Sequence, residues 1–247
     1  MPNLNEALVL TPAVDKKALR NKLLLAIIVV FLSLPLIYWL LDNADLEQDK
    51  LLDIQGIVLN QPTSISPFSL INHNHKYFTD KDLQGKWHIV AYGYTQCPDI
   101  CPTTLMAIAD LADLLRQAQQ LNDVKFLFYT IDPIRDSVDV LSQYIEYFDN
   151  SFIALRPDEG SSFQYFERNL GIKANVVQTP DENNGITVSH NLSVVIINPE
   201  AKLQAVLLPE KRQSKTMPIS QVHFTGQQLY RDFSTVRSHF QQQQSGL

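Results

Sequence analysis

A chain of 247 residues, 45% hydrophobic and 19% charged, is long enough for one ordinary globular domain and apolar enough for a real core. Its net charge of −6 leaves no basic footprint, which excludes nucleic acid as a partner. The two cysteines fall four residues apart and would close too small a loop to act as a staple, which leaves metal binding or redox chemistry to explain them.

Residues 1–22 end in a basic cluster, Lys16, Lys17, Arg20 and Lys22. Residues 23–41 then read LLLAIIVVFLSLPLIYWLL without a charge, close to the ~20 residues that cross a bilayer. The run is long for a signal peptide and no small-residue cleavage site follows it, so an uncleaved transmembrane anchor is expected over 23–41. Acidic residues Asp42, Asp45, Glu47 and Asp49 follow, and the positive-inside rule puts residues 1–22 in the cytoplasm and the rest of the chain outside it. An outside location permits disulfides. Residues 42–66 are polar and proline-bearing and read as a linker. A single domain is expected over 67–240, and the Gln-rich stretch 241–247 reads as a disordered tail.

Within the domain, Phe68–Ile71 and Lys76–Phe78 flank the polar turn Asn72–His75 as a hairpin. The run Trp87–Tyr92 reads as a buried strand punctuated by Gly93. Pro102 suits a first helical position, and Leu105, Ile108, Leu111 and Leu115 then mark one face of a helix to about Gln120. Cys97 and Cys101 therefore sit at or just before a helix N-terminus, whose partial positive charge favours thiolate. A second strand, Val124–Ile131, ends at Asp132-Pro133. Further on come a helix (Val138–Phe148), a short strand (Phe152–Leu155) and a helix (Ser161–Leu170) stopped by Gly171. Thr187–His190 and Leu192–Ile197 suggest a strand running to the turn Asn198-Pro199-Glu200, with Lys202–Leu208 pairing back. A helix from Gly226 to about Phe240 completes an α/β domain with a mixed central sheet flanked by helices, thioredoxin-like in outline. Right-handed crossovers put the cysteines at the C-terminal edge of their strand, where open α/β sheets place their sites.

Two thiolates make an incomplete metal site, so a third donor is sought among the six histidines. His88 lies inside a strand and reads as a packed residue. His73 and His75 read as solvated turn residues, and His223 and His239 as surface residues. His190 stands where a flexible loop meets a strongly apolar strand, and from the residues alone a ligand and a plain junction histidine are equally good readings. Met106 reads as core packing rather than a Cu(I) ligand, and Asp181 and Glu182 as a solvated loop.

The segment Tyr92–Leu105, YGYTQCPDICPTTL, resembles the signature of the Sco/SenC family of copper chaperones for cytochrome c oxidase assembly. Asp132-Pro133-Ile134-Arg135-Asp136 is similar to the family's Asp-Pro-x-Arg-Asp block, and Val188-Ser189-His190-Asn191 to the segment bearing its distal histidine. The resemblance covers about Phe68 to Leu208. It departs at His73-Asn74-His75, where the family tends to carry a glycine-containing turn, and at Tyr92 and Tyr94, where phenylalanine is frequent.

The resemblance implies Cys97, Cys101 and His190 as ligands to one copper per chain, Cu(I) or Cu(II), with Asp132 and Arg135 in support. Soft thiolates select Cu(I), and three side-chain donors leave an ion that a partner can take by exchange. The implied function is delivery of copper to the dinuclear copper site of a respiratory oxidase subunit, with no catalytic turnover required. Another periplasmic copper chaperone or a thiol reductant is a further implied partner. The competing reading is a thiol–disulfide oxidoreductase cycling Cys97 and Cys101, against which stand three intervening residues instead of two and a His190 with no task. A peroxidase would need more than Thr95 and Arg135 supply. The expected location is a bacterial inner membrane with the domain in the periplasm, since no long Arg- and Ser-rich presequence precedes the apolar run; a mitochondrial inner membrane facing the intermembrane space is the alternative.

Overall fold

The structure is a computed structural model and describes residues 16–43, 52–158, 160, 162–178, 186–210 and 223–245. It divides into two compact units, 1–51 and 52–247. In the first, helix α1 (Lys16–Asn43) runs through the apolar stretch with Pro35 inside it. Among the described residues no helix is long and apolar enough to cross a membrane, and the side chains at 23, 26 and 36–43 lie outside them.

The second unit is built on an eight-stranded mixed sheet. In chain order its strands are β1 (Gly56–Ser64), β2 (Ser69–Asn72), β3 (Tyr77–Thr79), β4 (Trp87–Gly93), β5 (Val124–Thr130), β6 (Ile153–Arg156), β9 (Val194–Ile197) and β10 (Lys202–Leu207). A separate two-stranded sheet pairs β7 (Ala174–Gln178) with β8 (Ile186–His190). The helices are α2 (Ile100–Gln117), α3 (Val138–Glu146), α4 (Phe163–Leu170) and α5 (Gly226–Ser245). Across the large sheet the order is β1-β10-β9-β4-β5-β6-β2-β3, so β4 is central, parallel to β5 and antiparallel to β9.

Every residue of β4 is buried, as a strand covered on both faces requires. The period of two splits it cleanly. Trp87, Ile89 and Ala91 join a core with Leu105, Ile108, Leu111 and Leu115 of α2 and Leu229, Phe233 and Val236 of α5. Val90 and Tyr92 join a second core with Leu127, Tyr129, Phe166 and Phe68. The sheet is thus a wall between two apolar layers, and the loops after β4 and β5 leave it side by side at one edge.

Several elements differ from expectation. The polar stretch read as a linker contributes β1, which pairs with β10 at the sheet's edge; half-buried edge strands carry too little hydrophobic alternation to show in a sequence. Helix α2 begins at Ile100, so Pro102 stands inside its first turn, where its missing N–H still costs nothing. Strand β7 was not anticipated, and Thr187–His190 pairs with it instead of continuing into β9. Helix α5 runs on to Ser245, into the stretch read as a disordered tail. Gly171 caps α4 in the left-handed conformation at φ 66°, as expected of a glycine after a last helical turn.

Candidate metal centre

The cysteines meet where β4 ends. Chain direction reverses through Tyr94–Asp99, with the Cys97 N–H donating to the Tyr94 carbonyl at 3.2 Å, and α2 then starts. Both cysteines are free thiols, Cys97 half-buried and Cys101 only 4% exposed. The backbone N–H of Cys101, one of the unpaired donors of the first helical turn, points at Cys97 Sγ at 3.4 Å. Gly93 makes room for the pair: a Cβ at that position would stand 2.5 Å from Cys101 Sγ and 3.3 Å from its Cβ.

One proton shared by the two sulfurs governs their ionisation. A hydrogen bond from Cys101, outweighing burial and joined by N–H groups of Cys101, Asp99 and Ile100, holds the Cys97 thiol down to about 5. The same hydrogen bond, with burial, pushes the Cys101 thiol up. Cys97 is therefore the nucleophilic, metal-ready sulfur at neutral pH, and Cys101 gives up its proton only when something replaces it.

The loop carrying the cysteines is held from the β5–α3 connection. Asp136 is fully buried and accepts from the Thr95 N–H at 3.1 Å, the Thr95 hydroxyl at 2.6 Å and the Thr130 hydroxyl at 2.5 Å. Asp132, also buried, pairs with the Arg135 Nε; Arg135 donates to Gln96 Oε1 at 3.2 Å and lies 5.6 Å over the Tyr94 ring. Three consecutive residues before Cys97 are thereby tied to one acidic–basic cluster. Arg135 touches the cysteine loop, and Asp132 is joined to that loop only through Arg135. The larger tie, Asp136, escaped sequence reasoning, though its place beside Arg135 in the same motif was the available signal.

His190 ends β8, and the three residues after it lead into β9. Its imidazole packs edge-on against the Tyr92 ring at 5.7 Å, and the Tyr92 hydroxyl is 2.6 Å from Ser193 Oγ. His190 Nδ1 lies 2.8 Å from the Asn191 carbonyl, which can only accept, so Nδ1 is the protonated nitrogen and the neutral ring keeps its lone pair at Nε2. Asn191 is in turn bound to Lys173 and Gly171 through its side chain. The imidazole and the thiols thus approach the end of β4 from its two faces. Among the described residues no three His, Cys, Asp or Glu side chains are gathered closely enough to hold a metal ion. The thiols are together; His190 stands at the same sheet edge but outside their group.

The other candidates fall elsewhere. His88 is buried in β4 against Phe78, as expected. His73 is half-buried and its Nδ1 accepts from the Ala154 N–H at 3.1 Å, while His75 faces Asp139 at 3.5 Å. Met106, expected in the core, is 57% exposed on the outer side of α2, because the helix turns Leu105 and Ile108 inward and its neighbour outward. Asp181 and Glu182 lie outside the described residues.

The donor set of two adjacent thiols with an imidazole lone pair at the same edge is soft, and its chemistry fits copper. The SCO1/SenC family model matches residues 59–222. Among sequence relatives, the mitochondrial SCO1 homolog 1 of Arabidopsis thaliana is 33% identical over 134 residues, covering 54% of this chain and 39% of that protein. The human mitochondrial SCO1 homolog is 28% identical over 160 residues, covering 64% of this chain and 52% of its own length. This chain therefore spans about half or less of the length of these two relatives. Among solved structures, copper-bound yeast Sco1 superposes with a TM-score of 0.54 at 27% identity, over 59% of this chain and 80% of that one. Copper-bound ScoI of Arabidopsis thaliana gives 0.51 at 27% identity, over 71% of this chain and 98% of that one. With the family model matching residues 59–222, well over half of its length, the chain belongs to the SCO1/SenC family.

Proposed function

We propose that this protein binds one copper ion through Cys97, Cys101 and His190 and delivers it to the dinuclear copper site of a respiratory oxidase subunit during assembly. The observation that carries the reading is the pair of free thiols at the start of α2, one buried and one half-buried, with a helix N–H aimed at Cys97 Sγ. Thiolates prefer Cu(I), and the copper-bound relatives support copper over zinc. Fewer than four donors, one of them carried on a different sheet, suit an ion that must leave again; a structural zinc site is closed by four. Because His190 is not gathered with the thiols into one donor group, it would join a bound ion only if the 190–193 connection shifted toward them. Asp136, Asp132 and Arg135 keep the cysteine loop in place meanwhile.

The test is an anaerobic Cu(I) titration of the reduced full-length chain beside Cys97→Ser and His190→Ala. One copper per chain, greatly weakened in both variants, is the expected result; binding indifferent to His190 would remove that residue from the site.

A second reading has its own observation. A thiol held down to about 5 beside one that is pushed up is the asymmetry of an attacking and a resolving cysteine, so the same pair serves as a dithiol reductant of partner cysteines. His190→Ala separates the two, since it impairs copper binding and leaves disulfide exchange intact.

The apolar run 23–41 serves as a single-pass anchor in this proposal, with residues 1–22 in the cytoplasm, 42–66 leading to the domain and the domain over 67–240 in the periplasm. The nearly uninterrupted exposure of Leu25, Phe31 and Leu32 on α1 supports a lipid-facing surface. The mitochondrial relatives are consistent with the alternative location, a mitochondrial inner membrane.

A further inference from the structure

We propose that Tyr92 is the resting seat of His190: its ring parks the imidazole, its hydroxyl locks that ring, and ligation of a soft metal ion requires the imidazole to leave it. Adjacent positions of a strand face opposite sides of the sheet. The Tyr92 side chain joins the core of Phe68, Phe166 and Val195 on one side. A Cβ at Gly93 points to the other side, into Cys101 Sγ at 2.5 Å. The seat and the thiols therefore lie across the end of β4 from one another, and the imidazole cannot occupy both places.

The imidazole lies edge-on to the Tyr92 ring, with centroids 5.7 Å apart. The ring itself is fixed at its far end. Tyr92 is 5% exposed, and its hydroxyl is 2.6 Å from Ser193 Oγ, which is equally buried. The register of β4 with β9 sets Val90 opposite Val195, and continued by two residues it sets Tyr92 opposite Ser193. The bond thus ties β4 to the residue from which β9 starts, and a ring so tied keeps one orientation. His190 is held from its other side as well. Its backbone pairs with Ala174 of β7, and the Asn191 side chain accepts from the Lys173 N–H at 3.0 Å and donates to the Gly171 carbonyl at 3.4 Å. In this arrangement no three metal-ligating side chains are gathered among the described residues. A seat that must be vacated before ligation lowers apparent affinity, since only the unseated fraction of molecules is ready to bind. An ion that has to be handed on is served by that weakening. Tyr92 is in this sense a positioning residue of the empty state and touches no ion.

The inference rests on His190 being a copper ligand, and the experiment separates that claim from the seat. Tyr92→Phe keeps the ring and removes its lock; Ser193→Ala removes the same bond from its other end. The reduced, copper-free full-length chains are labelled with diethyl pyrocarbonate and their peptides read by mass spectrometry. His190 is expected to label about threefold faster in each variant and no faster still in the double variant, because one bond is broken in all three. Buried His88 is the reference for global opening, and its labelling is expected to stay at the wild-type rate. Cu(I) affinity, from anaerobic competition with a chromophoric chelator, is expected to rise about threefold in both single variants. A substitution that merely loosened the fold would lower affinity instead. Unchanged His190 labelling overturns the seat, as does affinity that is unchanged or lowered while His190→Ala still weakens binding. If labelling rises but affinity ignores Tyr92→Phe and His190→Ala alike, the seat stands and His190 leaves the copper site.

Discussion

Gly93 shows how a single missing Cβ admits a site. With 2.5 Å between an added methyl and Cys101 Sγ, Gly93→Ala forces the sulfur or the start of α2 to move. A stability loss of about 1–3 kcal/mol is expected, with Cu(I) binding lost alongside, read by denaturant titration and by competition. Asp136 works by the opposite means, concentrating donors on one buried carboxylate. Asp136→Ala strands the Thr95 N–H and two hydroxyls, at a cost of about 3 kcal/mol, and Asp136→Asn recovers part of it by keeping one acceptor. Proton sharing makes the thiols unequal: at pH 6.5 iodoacetamide is expected to label Cys97 well ahead of Cys101, as mapped by peptide mass spectrometry. Equal labelling would contradict the shared proton.

At the scale of elements, α2 and α5 pack into one core with the sheet, and α5 meets β4 through aromatic rings. Trp87 of β4 lies edge-on to Phe233 at 5.6 Å and to Phe240 at 5.1 Å. Arg237 fastens the same helix to the loop before β5, with both Asp123 oxygens within 2.9 Å. Phe233→Ala opens a cavity under the central strand and is expected to cost about 3–5 kcal/mol, measured as a lowered urea midpoint. Because α2 carries Cys101, the same variant is expected to weaken Cu(I) binding even though Phe233 belongs to neither the sulfurs nor their loop. Affinity equal to wild type in native buffer would show that α5 is dispensable to the site.

For the whole molecule, a fully covered central strand places a histidine where water cannot reach. His88 is held down to about 4 by burial, only partly offset by the Lys86 carbonyl 3.1 Å from Nδ1. The unfolded chain takes up a proton on this residue near 6.5 and the folded chain does not until about 4. Stability from this residue is therefore complete above pH 6.5 and is lost as pH falls toward 4, by up to about 3 kcal/mol. Urea midpoints across that window check this, and His88→Gln is expected to flatten the slope. The proposed anchor also belongs at this scale: the full chain is expected to resist alkaline carbonate extraction from membranes, and deletion of residues 1–41 to release the domain.

The local chemistry of this protein was legible in its residues. Two cysteines four apart between a buried strand and an amphipathic helix determine a paired thiol site without any long-range information, because strand period, helix period and chain turn are all local. Buried runs such as Trp87–Tyr92 and Val124–Ile131 declared themselves for the same reason. Edge strand β1 and strand β7 did not, since weakly buried strands are defined by the partner that pairs with them. Met106 was misplaced by the same ambiguity, one helical step deciding between core and solvent. Tertiary structure alone brought Asp136 under the cysteine loop, set Tyr144 behind Phe128, and carried His190 to the far face of the β4 end. Those relations join residues on different elements of the chain, and the hydrogen bonds and ring contacts that create them exist only once the sheet has closed.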